Sequence, residues 1–227
     1  MSRPARAVIF DFNGTISHDE PLLAELFSRI FAEIGIDVPP TLYFEEFAGY
    51  SDPEIVGRML ERFGRAGDQQ AADRLLRRRT ELYLEEIERR PTVLPRAADA
   101  VRRIAAAVPV AIASGAARRE IDAVLRASGL DGLFDVVVSA EDVSRGKPDP
   151  EGYLVALERL NETLAAPLAP ADVLVFEDSD HGLAAAVAAG MRCIVIEGTT
   201  PAERLGAAEA LIPALDWSVP ALRESLP

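Results

Sequence analysis

The sequence predicts an α/β fold in which a parallel sheet carries helices on both faces and an all-helical segment is inserted after the first strand. Three observations support this. Short apolar runs recur at Ala7 to Phe10, Val108 to Ala113, Val136 to Ser139, Val173 to Phe176 and Cys193 to Ile196. Such runs mark strands buried on both faces. Helix-like segments separate the later runs, and strands alternating with helices build parallel sheets. The stretch from Ile16 to Arg90 contains no run of this kind.

Taken in order, Ala7-Val8-Ile9-Phe10 is the first strand, ending at Asp11. The insert reads as helices at Glu20 to Ile34, Leu42 to Ala48, Pro53 to Phe63 and Gln69 to Arg89, punctuated by Pro39-Pro40 and Gly64 to Gly67. Phe27, Ile30, Phe31 and Ile34 have helical spacing and form an apolar face. Asp52 before Pro53 reads as a helix N-cap followed by proline at the first helical position. The chain rejoins the sheet near Pro91 to Pro95. Helices then fall at Arg96 to Ala107, Ala116 to Ser128, Pro150 to Asn161 and Gly182 to Ala189. These boundaries give two units: 1–15 with 91–227 as a discontinuous α/β core, and 16–90 as a helical insert.

Composition excludes several classes. With 49% hydrophobic residues in 227, the chain has material for a sizeable core. The longest near-apolar run, Ala105 to Ala113, is broken by Pro109 and falls short of the roughly 20 residues that span a bilayer. No signal-peptide core follows Met1 to Arg6. The formal net charge of −13 repels nucleic acid and anionic membranes. Arg77-Arg78-Arg79 is the densest basic run, but Glu81, Glu85 and Glu86 follow it, as on a solvated helix face. Cys193 is the single cysteine, has no internal disulfide partner and fits a reducing cytoplasm.

Polar signals sit just past the strands: Asp11 to Thr15, Ser114-Gly115, Gly146-Lys147-Pro148 and Glu177-Asp178-Ser179. Strand carboxyl ends in such sheets gather at one edge, where ligands bind. Lys147 is the only lysine among 24 basic residues. A compact ammonium at one such position is not interchangeable with a guanidinium. Asp11 and Asp178 are hard oxygen ligands suited to Mg²⁺ with phosphate oxygens, and the cation would offset the repulsion between two facing carboxylates. Ser114 and the Gly115 N–H, at a helix start, are donors for phosphate oxygens. The set supplies the placement and charge neutralisation that phosphoryl transfer needs.

These residues, with the string from Gly146-Lys-Pro-Asp-Pro-Glu-Gly-Tyr153 through Glu177-Asp-Ser-Asp-His-Gly-Leu183 to Gly190-Met191, resemble the haloacid dehalogenase superfamily, in the branch holding β-phosphoglucomutase, phosphoglycolate phosphatase and small sugar phosphatases. The resemblance implies a Rossmann-like core under a helical cap that closes over the site and excludes water. It implies that Asp11 is a nucleophile forming an aspartyl phosphate. Asp11, Asp178 and the main-chain carbonyl of Asn13 would hold Mg²⁺. Ser114 and Lys147 would hold the phosphoryl group, with Glu177 orienting the lysine and Arg79 as a cap cation on the substrate. The implied protein is a cytoplasmic, Mg²⁺-dependent phosphatase of a small phosphorylated metabolite, a monomer with a dimer as the second state.

Asn13 departs from the pattern. Family phosphatases carry an aspartate there that protonates the leaving group and then activates water, a service worth roughly 10²–10⁴-fold. Three readings follow. The enzyme is slow or selective for good leaving groups; or it recruits an acid, with His18, Asp19 and Glu20 as candidates; or it is a low-turnover phosphate binder or carries an introduced substitution. The first stands ahead. Among rivals, a metal-free dehalogenase fits poorly with Gly14-Thr15 and Glu177-Asp178, and phosphonate cleavage needs a cap lysine that 16–90 lacks. A β-phosphoglucomutase-like phosphomutase is the main alternative. Within the Gly49-Tyr50-Ser51-Asp52 segment, Asp52 stands where the mutase has an arginine, and Leu23 where it has a histidine.

Overall fold

The computed structural model describes residues 3–47 and 50–227. Six strands form one parallel sheet: β1 (Ala7–Phe10), β2 (Val110–Ala113), β3 (Val136–Val138), β4 (Val173–Glu177), β5 (Arg192–Ile196) and β6 (Ala210–Ile212). Their order is β3-β2-β1-β4-β5-β6, with every neighbouring pair parallel. β2 starts two residues later than expected. Pro109 has no N–H to give a ladder and contributes only its carbonyl, which accepts from Val8 N–H at 3.0 Å. β6 is an addition to the five expected strands. It has three residues, Ala210-Leu211-Ile212, one of them exposed.

The period of two along each strand divides the core into two layers. Val8, Phe10, Ile112, Leu174, Phe176 and Ile194 face one apolar cluster. Ala7, Ile9, Ala111, Val175, Cys193 and Val195 face the other. The first is covered by α5 (Pro95–Ala107) and α6 (Arg118–Ser128), the second by α7 (Glu151–Thr163) and α8 (Asp180–Ala188). A short α9 (Pro220–Glu224) closes the chain against the first layer through Leu222. No helix among the described residues is long and apolar enough to cross a membrane.

Between β1 and α5 the described chain is helical: α1 (Glu20–Ala32), α2 (Pro40–Leu42) running into a π-helical turn at Tyr43–Phe47, α3 (Asp52–Arg62) and α4 (Gln69–Ile87). The expected helix at 42–48 is thus a shorter, wider turn, and its last residue, Ala48, lies outside the described residues, as does Gly49. Phe27, Ile30 and Phe31 are buried as the spacing required. Ser51, rather than Asp52, caps α3: its N–H and hydroxyl both reach the Glu54 carboxylate, at 3.0 and 2.6 Å. The two chain crossings between sheet and insert are tied together. Ser17 Oγ donates to Thr92 Oγ1 at 2.7 Å, and His18 N–H to Thr92 O at 2.8 Å.

Arg79 corrects an expectation. It was assigned to the substrate, yet it is 1% exposed and pairs with Glu120 of α6 and with Asp52 at 3.1 Å. Its two terminal nitrogens, Nη1 on Glu120 and Nη2 on Asp52, join α4 and α3 to the sheet layer, while the buried Nε has no partner. Burial opposes its charge, but Asp52 and Glu120 outweigh that and hold its pKa above the ordinary arginine value. Breaking a buried pair strands a charge, at a cost of about 3–5 kcal/mol. Glu120→Ala is therefore expected to lower unfolding free energy by about that amount in urea titrations. A loss under ~1 kcal/mol, as for an exposed pair, would contradict the clamp.

Candidate active site

The strand order reverses between β1 and β4, and the carboxyl ends there open a crevice. Asp11 is the first residue past β1, fixed by its N–H to Phe176 O at 2.9 Å. Ser114 is the first past β2, fixed by its N–H to Val138 O at 3.0 Å. Asp178 follows β4 directly. Backbone bonds thus carry the ladder one residue beyond the strands and set three side chains side by side. Between Asp11 and the insert the chain turns tightly, with Gly14 N–H donating to Ser17 O at 2.7 Å. Gly14 has φ +75°, and a Cβ there would lie 2.0 Å from Asp178 Oδ2. Both the backbone and the carboxylate exclude any larger residue.

Asp11, Asn13, Ser114, Gly115, Lys147 and Asp178 line one cleft of about 890 Å³, part of it open to solvent. Lys147 Nζ donates to Asp11 Oδ1 and Glu177 Oε1. Tyr153 Oη also donates to Glu177 Oε1, at 2.8 Å. Glu177 Oε2 accepts the N–H of Asp178 at 2.9 Å and the N–H and hydroxyl of Ser179 at 3.0 Å. Ser114 Oγ accepts from Ala116 N–H at 3.0 Å, which leaves its own proton to donate. Gly115 lies in the turn ahead of α6, which starts at Arg118, and not at the helix start expected from sequence. Asn13 Nδ2 donates to Asp19 Oδ2 at 2.8 Å, and Tyr83 Oη donates to the same oxygen.

Electrostatics separate the carboxyls. Burial works to raise Glu177, but Lys147 and the two backbone N–H groups overcome it and hold it low. Burial pushes Asp11 up to about 7, against the pull of Lys147 and with the help of Glu177. Asp178 is pushed well up by burial, then by Glu177 and Asp11. Asp11, Glu177 and Asp178 each offer an oxygen within 4.8 Å of the others. Glu177 is saturated with donors, so the excess negative charge falls on Asp11, which shares Lys147 with it, and on Asp178. That pair fits a small divalent cation, which takes one or two carboxylates and completes its shell with water or phosphate oxygens.

The insert roofs this cleft through Glu20, Leu23, Tyr43, Tyr50, Ser51 and Asp52. A Cβ on Gly115 would sit 3.7 Å from Ser51 Cβ. The Tyr50 ring lies 4.6 Å from His181 at the start of α8 and 4.2 Å under Arg58. Of the residues assigned to the site from sequence, Glu177 stands just behind the cleft, and Arg79 is not part of its lining but stands behind Asp52, which is. Tyr153 was not singled out, although it lies in the Gly146-to-Tyr153 string. A buried carboxylate at 177 needing donors was the available signal.

A haloacid dehalogenase-like hydrolase family model matches residues 5–190. The protein CbbY of Rhodobacter capsulatus is 32% identical over 225 residues, covering 96% of this chain and 93% of its own. A phosphorylated carbohydrates phosphatase of Thermotoga maritima is 32% identical over 189 residues, 83% of either chain. A crystal structure of a CbbY variant from Rhodobacter sphaeroides in complex with xylulose-(1,5)bisphosphate superposes with TM-score 0.81 at 29% identity, covering 93% of this chain and 95% of that one.

Two outcomes follow from the site's geometry. A Cβ on Gly182 would lie 1.6 Å from Glu177 Oε1, so Gly182→Ala must expel that carboxylate from its donors. Its urea midpoint should fall, by about 3 kcal/mol or more in unfolding free energy; a wild-type midpoint would contradict the packing. The second concerns pH with divalent ions chelated. Asp11 and Asp178 are raised in the fold above the ordinary aspartate value of 3.8, Asp11 to about 7. Their contribution is whole below the unfolded value and is lost as pH climbs through the folded one. The thermal midpoint should therefore decline between about pH 4 and 8. Asp178→Asn, with no charge to bury, should flatten that decline; equal slopes would refute the cause given.

Proposed function

The chain belongs to the haloacid dehalogenase-like hydrolases and is a phosphoric monoester hydrolase, and from that premise we propose a Mg²⁺-dependent phosphatase of small phosphorylated carbohydrates that works through an aspartyl phosphate on Asp11. The observation that carries this reading is the convergence of Asp11, Ser114, Lys147 and Asp178 on one cleft. The carbohydrate substrate is suggested by the names of the phosphatase and the bisphosphate-bound relative. Residues 16–90 are read as a cap over a core of 1–15 and 91–227. A single buried thiol, Cys193, fits a reducing cytoplasm.

Asp11 presents a carboxylate to phosphorus. Lys147, anchored by Glu177, neutralises part of the charge that Asp11 and the phosphoryl group bring together. Ser114 donates its hydroxyl proton to a phosphoryl oxygen. Mg²⁺, held by Asp11, Asp178 and the main-chain carbonyl of Asn13, would supply the remaining positive charge. The roof of Tyr43, Tyr50 and Ser51 limits water. Asn13 donates one amide N–H to Asp19 and lines the cleft; its side-chain carbonyl oxygen is an acceptor. That end accepts a hydrogen bond from water or a sugar hydroxyl and protonates nothing.

The phosphomutase alternative is the weaker reading. Leu23 contributes an apolar side chain to the cleft, and Arg79 is committed to Glu120 and Asp52. Arg145 lines the cleft but pairs with Asp149 at 3.1 Å. The test is hydrolysis of 4-nitrophenyl phosphate and a panel of sugar phosphates with and without Mg²⁺. Turnover should require the ion and vanish in Asp11→Asn. Turnover that persists in chelator or in Asp11→Asn would overturn the proposal.

A further inference from the structure

The reaction proposed above needs a proton for the departing oxygen, and Asn13 has none to give. We propose that Glu20, at the start of α1, is the general acid and base of this site. The inference rests on Asp11 acting as nucleophile, and the cleft identifies Glu20 by what the other groups are already doing. Among the described residues, the carboxyls lining the cleft are Asp11, Glu20, Asp52, Asp149 and Asp178. Asp11 attacks phosphorus, and Asp178 faces the cation. Asp52 is paired with Arg79 at 3.1 Å. Asp149 is paired with Arg145 at 3.1 Å and accepts the Glu151 N–H at 3.0 Å. Glu20 alone carries a buried oxygen, Oε2, with no hydrogen-bond partner.

The neighbouring candidates are excluded by their contacts. Asp19 is fully buried, is not part of the cleft lining, and uses Oδ2 to hold both Asn13 and Tyr83. His18 is exposed in the hinge, its N–H bonded to Thr92 O. Lys147 is held between Asp11 and Glu177.

The environment suits the task. Burial, then the Asp19 charge, pushes the Glu20 carboxyl up to about 8, with Tyr43 beside it and Asp11 and Asp52 facing it. Asp178 faces it as well. A carboxyl so placed is protonated near neutral pH and loses its proton readily once the leaving oxygen becomes basic. In the first step the Asp11 carboxylate bonds to phosphorus. The ester P–O bond breaks, its electron pair stays on the leaving oxygen, and that oxygen takes the Glu20 proton. In the second step Glu20 carboxylate removes a proton from water as the water oxygen bonds to phosphorus. The bond to Asp11 breaks, inorganic phosphate leaves, and Glu20 is protonated again.

The experiment compares the wild type with Glu20→Gln, with Mg²⁺ present, on an alkyl phosphate and on 4-nitrophenyl phosphate, whose phenolate leaves without a proton. The kcat/KM for the alkyl ester should fall about 10²-fold and that for the aryl ester less than about 3-fold. Release of 4-nitrophenol should show a pre-steady-state burst, because the phosphoenzyme now lacks its base. Equal losses on the two esters would reassign Glu20 to binding or folding and overturn the proposal. So would no loss, or a wild type inert to alkyl esters. Asp11→Asn, assayed in parallel, tests the nucleophile separately: its activity bears on Asp11 whatever Glu20 does.

Discussion

The site depends on one buried cation. Lys147 reaches from the loop after β3 to Asp11 after β1 and Glu177 at the end of β4. Two carboxylates that would otherwise repel are bound through a shared ammonium, and both belong to strands that pair directly. Removing this charge would leave an acidic crevice in a protein of net charge −13, with Arg145, itself paired with Asp149, as the remaining cation among the described lining residues. Glu177 completes the arrangement from behind. Its two oxygens take five donors from Lys147, Tyr153, Asp178 and Ser179, so the anchor of the lysine is itself immobile.

Much of this was legible in the sequence because each strand had to be apolar on both sides and each polar residue broke that rule at a strand's end. Ala7 to Phe10 ending at Asp11, and Val173 to Phe176 ending at Glu177-Asp178, are boundaries that burial alone enforces. What stayed hidden has physical reasons too. β6 pairs with β5 through only three residues, of which one is buried, so burial marks it more weakly than the other strands. Arg79 read as a cap cation on the substrate, at the end of the basic run Arg77-Arg78-Arg79, and only the packing of α4 on α6 reveals the carboxylate waiting for it. Asn13 was visible as a departure, but its bond to Asp19 depends on the turn at Gly14 that folds the chain back.

The insert and the sheet are joined by polar contacts of two kinds. Ser17, His18 and Thr92 pair the two crossings at the hinge. Arg79 links Asp52 and Glu120 farther along. Asp52 follows Ser51, which closes over Gly115, and both line the cleft, so the clamp includes a residue of its roof. Changes in that pair therefore act on two properties, the docking of the insert and the position of the residues that roof the cleft. The apolar cluster runs through both parts from Phe10 and Phe12 to Phe27 and Ile30, which gives the polar contacts a fixed backing.

The solitary lysine has a consequence outside phosphate chemistry. The other 23 Lys or Arg positions carry a guanidinium, far less reactive than an ε-amine toward acylating and carbamylating agents. Such reagents find a single side-chain amine in this chain, and it is only 18% exposed behind the carboxylates it serves. The outer surface is thereby chemically quiet, and any adduct that does form on a side-chain amine strikes the one position the protein has no means to replace.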